Sequence, residues 1–375
     1  MNAADTASTP PDPALRSLVE QVREARAHGR PLCIQGGGSK AFYGEPPTGP
    51  LLDTRGYSGI VSHQPTELVV TARCGTPLRE LEAALEAKGQ SLPFEPPHFN
   101  GGATVGGMVA AGLSGPARAS AGSVRDHLLG ATLLGGDGEL MRFGGEVIKN
   151  VAGYDVSRLL AGSMGTLGLI LEVSLKVLPL APATATLRFS CDQVTALTWL
   201  NEWGGQPLPL NASAWWDGTL VVRLRGALAA VQAAMARLKD RHGAEVVDVV
   251  QGSGFWQGLR HHGDDYFVKA GNAVARGVSL WRLSVPQTAP PLALSGEQLV
   301  EWHGAQRWWC TAEPAAHVRQ VAASVGGHAT LFRAKDKSPG AFAPLTAPLE
   351  RIHRQLKQSF DPAGVFNPGR MYPGL

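Results

Sequence analysis

Glycine comes in blocks in this chain, and the last block constrains the fold most. Lys149-Asn150-Val151-Ala152-Gly153-Tyr154-Asp155 is followed by Gly162-Ser163-Met164-Gly165-Thr166-Leu167-Gly168 and then by the alternating segment Leu169 to Val177. Glycine lets backbone come up against a flat, polyanionic ligand where a side chain would hold it away. The alternation of Leu169, Leu171, Leu175 and Val177 with Glu172, Ser174 and Lys176 predicts a half-buried strand that holds the loop still. Loop and strand together make a rigid wall for a dinucleotide.

Far upstream stands Gln35-Gly36-Gly37-Gly38-Ser39-Lys40, after the short apolar strand candidate Pro31 to Ile34. Consecutive glycines can turn successive N–H groups into one anion-binding concavity, and Ser39 and Lys40 add a hydroxyl donor and a positive charge. The spacing matches neither the Walker loop nor the Rossmann Gly-x-Gly-x-x-Gly. Taken alone, a triple glycine is also an ordinary surface turn, so its partners along the chain decide how it is read.

The middle cluster runs Pro96-Pro97-His98-Phe99-Asn100-Gly101-Gly102-Ala103-Thr104-Val105-Gly106-Gly107-Met108 and continues to Gly122-Ser123-Val124-Arg125-Asp126. In this order, the glycine nest, the Gly-Gly-Ala-Thr-Val-Gly-Gly turn, the Arg-Asp pair before a strand and the Gly-Ser-x-Gly-Thr-Leu-Gly block resemble the vanillyl-alcohol oxidase and p-cresol methylhydroxylase (PCMH) superfamily of FAD proteins. Ordered motifs together are far more specific than any one of them. Glu95-Pro96-Pro97-His98-Phe99, Gly144-Gly145-Glu146-Val147-Ile148-Lys149-Asn150 and Phe366-Asn367-Pro368-Gly369-Arg370-Met371-Tyr372 resemble, more closely, the FAD-binding E subunits of bacterial glycolate oxidases. The resemblance implies an α+β fold, with a PCMH-type FAD-binding domain of two α+β subdomains followed by an α+β cap domain with an antiparallel sheet. Some relatives attach FAD through a histidine near the nest loop. That loop contains none here, and His98 after two prolines reads as a structural donor, so noncovalent FAD is expected.

Composition excludes other classes. With 34 basic and 31 acidic residues the formal net charge is +3, and no clustered basic run supports nucleic-acid binding. At 375 residues and 44% hydrophobic content the chain can bury two cores. No uninterrupted apolar window reaches membrane-spanning length, and Met1 to Pro13 lacks a signal-peptide pattern. The expectation is a cytoplasmic protein without a membrane span, with peripheral attachment at the inner membrane through a complex left open. Cys33, Cys74, Cys191 and Cys310 lack Cys-x-x-Cys spacing, which argues against zinc, an iron–sulfur cluster or disulfides. They read as buried thiols, and no metal site is expected.

Along the chain, Asp12 and Pro13 open a helix whose face is Leu15, Leu18, Val19 and Val22, and Thr76-Pro77 caps a second with Leu78, Leu81 and Leu85. Leu128 to Leu134 and Glu139 to Phe143 flank an Asp137-Gly138 hairpin step. Beyond Pro182, strands are expected at Thr184 to Phe189, Ser213 to Trp216, Leu220 to Leu224, Val278 to Val285 and Ala329 to Phe332. Helices are expected at Asp192 to Trp203, Ala227 to Arg241 and Glu313 to Val325. The expected division is a disordered N-terminus 1–12, an FAD-binding domain 13–182, a cap 183–334 and a C-terminal segment 335–375, with a helix from Leu349 to Phe360, that packs back on the FAD domain.

Gly36, Gly37, Gly38, Ser39 and Lys40 are assigned to the flavin pyrophosphate by the nest argument and the resemblance together. Gly101, Gly102, Ala103, Thr104, Gly106 and Gly107 resemble the second pyrophosphate and isoalloxazine contact, although glycines this dense also let a helix pack closely on a sheet. Gly162, Gly165, Thr166 and Ile170 resemble the adenosine end. Asp126 reads either as a flavin-side contact or as half of a surface ion pair with Arg125.

Catalysis is less legible. Oxidising a 2-hydroxy acid through flavin requires a cation for the carboxylate and a base for the hydroxyl proton. The His-x-Gly-Asp-Gly-Asn motif usual in 2-hydroxyacid dehydrogenases of the resembled superfamily is missing. Its nearest string, Arg260-His261-His262-Gly263-Asp264-Asp265, reads as a solvated turn. Arg260, Arg282, Arg307 and Arg333 could each face the flavin, and spacing selects none, so no catalytic residue is assigned. The resemblance implies glycolate or a related 2-hydroxy acid as substrate, and a second FAD-linked oxidase subunit and an iron–sulfur subunit as partners. A self-sufficient 2-hydroxyacid or alditol oxidase and a non-catalytic flavin scaffold or electron relay are the alternatives.

Overall fold

Residues 12–99, 101–145 and 155–375 are described by the structure, a computed structural model. Residues 1–11, Asn100 and residues 146–154 lie outside the described residues. With them go most of the expected disordered N-terminus and most of the run that starts at Lys149.

The first helix, Pro13–Ala27, starts where Asp12 Oδ1 accepts from the N–H groups of Ala14 and Leu15, and it buries the expected face of Leu15, Leu18, Val19 and Val22. A short strand, Cys33–Gln35, then pairs in parallel with Leu51–Asp53 and delivers the chain to Gly36. A five-stranded antiparallel sheet follows in the order Ile60–Gln64, Val69–Arg73, Leu169–Lys176, Leu128–Leu134, Leu140–Gly144. The last two strands form the hairpin that Asp137-Gly138 signals, with Gly138 at φ +82.

Leu169–Lys176 is the centre of this sheet, and the expectation of a half-buried strand is corrected. Ile170, Val173 and Leu175 enter one core with Leu78, Leu81, Leu85, Val105 and Met108. Leu169 and Leu171 enter another with Leu18, Val19, Val22 and Phe366. Helices cover both faces, so even the polar positions need partners. Glu172 accepts from Tyr57 Oη at 2.7 Å, and the Ser174 and Thr71 hydroxyls lie 2.8 Å apart.

The remainder is built on an eight-stranded antiparallel sheet in the order Glu245–Val247, Ala183–Ser190, Thr219–Gly226, Leu210–Trp216, Glu297–Glu301, Gln306–Thr311, Ser279–Ser284, His328–Arg333. Alternate residues feed opposite faces. Trp281 and Leu283 join a core with Val318 and Ala322 of the helix Ala315–Ser324, whereas Leu280 joins Trp256, Leu259 and Phe267 together with Tyr43, Leu113 and Met164 of the N-terminal part. That shared core fixes the cap sheet against the glycine-rich half. Among the described residues, no helix is long and apolar enough to cross a membrane.

The helices Val249–His261 and Asp265–Ala275 and the strands Glu245–Val247, Glu297–Glu301 and Gln306–Thr311 were not expected from sequence. The first of these helices carries Gly252, Gly254 and Gly258, which lower intrinsic helix propensity. Gly252 is there for packing, because a Cβ would stand 2.7 Å from Thr186 Oγ1 on the neighbouring strand. That hydroxyl also accepts from Trp256 Nε1 at 3.0 Å. At Gly254 a Cβ would meet nothing within 4 Å. Gly252→Ala is therefore expected to destabilise the chain by about 1–3 kcal/mol through overpacking, and Gly254→Ala to stabilise it by about 0.5–1 kcal/mol. Urea unfolding of the two variants checks the opposite signs.

Candidate functional site

The first and second glycine clusters meet backbone to backbone. A Cβ on Gly37 would stand 1.4 Å from the Gly102 carbonyl oxygen, and one on Gly36 would stand 2.3 Å from Thr104 Oγ1. Only Gly38 of the triple glycine takes positive φ, at +68. Gly36 and Gly37 are thus glycine for close approach, and Gly38 is glycine for the turn. Thr104 caps the short helix Val105–Ala111, its Oγ1 accepting from Gly107 N at 3.3 Å.

The third cluster docks on the far end of that helix. Gly162 N donates to Val109 O, Met164 N donates to Ala110 O, and a Cβ on Gly112 would stand 2.9 Å from Gly162 Cα. Between the clusters runs an open cleft lined by Gly36 to Lys40, Thr104, Gly107, Ala110 and Met164. It continues into a second space that adds Gly106, Gly165 and Ile170. The Asn367 side lines both parts and Arg370 lines the first. Sequence reasoning did not place either residue here, although both lie in a C-terminal string it singled out.

The other expected residues serve mainly the framework around the cleft. Gly101 and Gly102 are exposed on the turn, and Ala103 is a core side chain. Gly106 reaches the cleft but backs onto Cys74, whose Cβ would be 2.6 Å from an added Cβ, so it also serves helix–sheet packing. Gly162 and Thr166 line a neighbouring cavity with Leu159, His353, Leu356 and Lys357, and Thr166 Oγ1 donates to Ser163 O. Asp126 is neither a cleft residue nor half of an ion pair with Arg125. Its carboxylate accepts from Ser123 N and Oγ, both at 2.8 Å, as the return arm of a capping box.

Charge in the cleft is one-sided. Lys40 and Arg370 line it, and no Asp or Glu among the described residues does. The Lys40 ammonium donates to Ser39 Oγ at 3.2 Å and lies 5.5 Å from the Phe99 ring centre, with no carboxylate in ion-pair reach among the described residues. Burial pulls its pKa down from 10.5 to about 8. A concave, glycine-walled space holding one half-buried and one buried cation, with no acid lining it among the described residues, fits a ligand that brings its own negative charge.

The structure also separates the four cap arginines. Arg260 pairs with Glu82 and donates to Pro96 O, and Arg307 is fully buried, donating to Gly304 O and Ala289 O. Arg282 reaches Tyr43 Oη at 3.0 Å. Arg333 lies 3.6 Å over Phe42 and makes no ion pair among the described residues. His262, expected in a solvated turn, instead ends the helix Val249–His261 in left-handed conformation and stacks on Phe267 at 3.6 Å, beside Phe99 and Phe332. Its Nδ1 is buried without a partner, and burial with the nearby Arg333 and Arg282 charges holds it well below the usual histidine range. His98 Nε2 lies 2.9 Å from Glu82 Oε2, in the cluster that ties Arg260 to the N-terminal part. Cys33, Cys74 and Cys310 are buried free thiols and Cys191 is a half-buried one. Among the described residues no cluster of His, Cys, Asp and Glu could hold a metal ion.

Residues 15–144 match the family described as FAD binding domain. Over 360 residues, 96% of this chain and 98% of the other, the sequence is 49% identical to glycolate oxidase subunit GlcE of Escherichia coli (strain K12). It is 31% identical over 171 residues to glycolate oxidase subunit GlcD of Bacillus subtilis (strain 168), covering 45% of this chain and 36% of that one. A solved alkyldihydroxyacetonephosphate synthase shares the fold, with a TM-score of 0.67 at 16% identity over 94% of this chain and 74% of that chain. The chain belongs to the glycolate oxidase subunit GlcE family, and its cofactor is FAD.

Gly37→Ala is expected to separate the two loops and to abolish FAD retention, read as flavin absorbance per chain after gel filtration. Lys40 gives a pH test. Its folded value lies below the unfolded one, so in the apo chain this group adds stability as pH rises from about 8 towards 10.5. A bound anion favours the charged form and opposes that shift. FAD affinity should be highest below about pH 8 and fall as pH rises through it, and Lys40→Met should flatten this dependence in flavin titrations.

Proposed function

We propose that this chain is the FAD-holding E-type subunit of a multi-subunit glycolate oxidase, and that it works with a second flavin subunit and an iron–sulfur subunit in converting glycolate to glyoxylate. Residues 13–182 with 335–375 hold the flavin, and 183–334 form the cap. The observation that carries the reading is the cation-lined cleft between the glycine clusters, in a chain that follows a glycolate oxidase subunit over nearly its whole length.

Within the cleft, the backbone of Gly36 to Gly38, the Ser39 hydroxyl and Lys40 receive the diphosphate. Thr104 and Gly107 form the adjoining wall, and Gly165 and Ile170 the wall at the other end. Bound FAD supplies a two-electron acceptor for a hydride from a CH–OH carbon. The protein's contribution is to hold that acceptor, keep water from its buried face and neutralise its phosphates.

Division of labour among subunits is favoured by one feature. Residues lining the cleft come from 33–170 and 367–370, with none from the cap. Arg282, Arg333 and His262 have the chemistry for a carboxylate and a proton, but they are packed among Phe42, Phe99 and Phe332. The isolated chain should therefore bind FAD and be reduced slowly by glycolate, with turnover appearing when the partners are added. Anaerobic mixing with glycolate and D-lactate, following flavin absorbance, checks this. Rapid bleaching of the isolated chain followed by turnover with a dye acceptor would favour a self-sufficient oxidase instead.

A further inference from the structure

The chain's C-terminal end runs beside the cleft, stitched to both of its walls. Leu32 N donates to Val365 O at 2.7 Å, and Asn367 N donates to Leu32 O at 3.0 Å, so the segment lies alongside the strand that enters the glycine nest. Asp361 anchors it by accepting from Val365 N and Phe366 N, and Lys357 Nζ ties Asp361 and Phe366 O to Thr166 O of the third cluster.

Asn367 connects the walls directly. Its Oδ1 accepts from Ile34 N at 2.8 Å, and its Nδ2 donates to Met164 O at 2.7 Å. It holds left-handed backbone at φ +42, a conformation Asn tolerates better than most residues. Gly165 makes room for it, because a Cβ there would stand 2.8 Å from Asn367 Nδ2. One amide thus sets the distance between the nest strand and the Met164–Gly165 turn.

Arg370 is 7% exposed and donates to the carbonyls of Ala41 and Glu45, in the loop that follows Lys40. It forms no ion pair among the described residues. The Glu45 carboxylate acts on this guanidinium from nearby without forming an ion pair, so its hydrogen bonds go to carbonyls and it can still take a closer counter-charge, and it lines the same cleft as Lys40.

We propose that the C-terminal segment is the second half of the dinucleotide site, with Arg370 binding the diphosphate and Asn367 positioning the two walls that enclose it. The proposal rests on the FAD reading. It also assigns a task to residues about 200 positions beyond the third glycine cluster.

The test is equilibrium titration of the apo chain with FAD, by flavin fluorescence, and with ADP, by calorimetry, ADP being a probe that keeps the diphosphate but lacks the flavin ring. Arg370→Gln is expected to weaken both ligands by a similar factor of about tenfold or more. Arg370→Lys, which keeps the charge and loses the fork, should weaken them less. Asn367→Asp places an oxygen against Met164 O and should weaken both ligands while lowering the apo unfolding midpoint. Unchanged FAD and ADP affinity in a folded Arg370→Gln chain overturns the proposal. If that variant does not fold, Arg370→Lys decides: weakened ADP binding at an unchanged apo midpoint supports the assignment, and unchanged binding overturns it. Failure of the wild-type chain to bind either ligand would instead remove the FAD reading itself.

Discussion

A carbonyl oxygen resting on a bare α-carbon is the contact on which the site depends. Where Gly102 O meets Gly37, no side chain other than hydrogen fits, and beside it the Thr104 side chain closes on Gly36. Backbone contact of this kind brings two loops from distant parts of the chain close enough to share one ligand. The helix Val105–Ala111 links this arrangement to the third cluster through Val109 O and Ala110 O, so the three glycine blocks are joined by direct contacts.

Much of this was legible in the sequence, because glycine blocks, caps and the Asp137-Gly138 hairpin are local signals. The helix starts at Asp12 and the strand at Leu169 are found where patterning puts them. What could not be read is what depends on a distant partner. Leu169–Lys176 alternates like a half-buried strand, yet helices on both faces bury nearly all of it. Gln306–Thr311 is buried at every position despite Gln306, Arg307 and Thr311, whose polar groups find partners only after folding. Gly252 hides a helix because its reason for being glycine is Thr186, on another strand.

The same limit explains the cap. Spacing treats Arg260, Arg282, Arg307 and Arg333 as equals, and only three-dimensional neighbours divide them. Two are committed to structure by Glu82 or by buried carbonyls, and two lie on aromatic rings without carboxylate partners. Buried acid is present in the cap, but it is kept elsewhere. Glu301 accepts from Trp308 Nε1 and Gln306 Nε2, and burial pushes its pKa up to about 7. Placing acids away from the cleft preserves the positive potential that an anionic ligand needs.

A cleft walled by 33–170 and closed by 367–370 has a consequence for how the molecule can work. Its walls are joined through short backbone hydrogen bonds and one asparagine amide, while the cap meets the N-terminal part through the Glu82–Arg260 and Glu95–Arg223 pairs and the aromatic core around Phe332. Ala111 and Met164 belong to both sets, because they line the cleft and pack in that core with Leu280 and Trp308 of the cap. A change in the cap core therefore reaches the cleft through those two side chains, whereas the Gly37–Gly102 contact and the Asn367 amide bonds involve no cap residue.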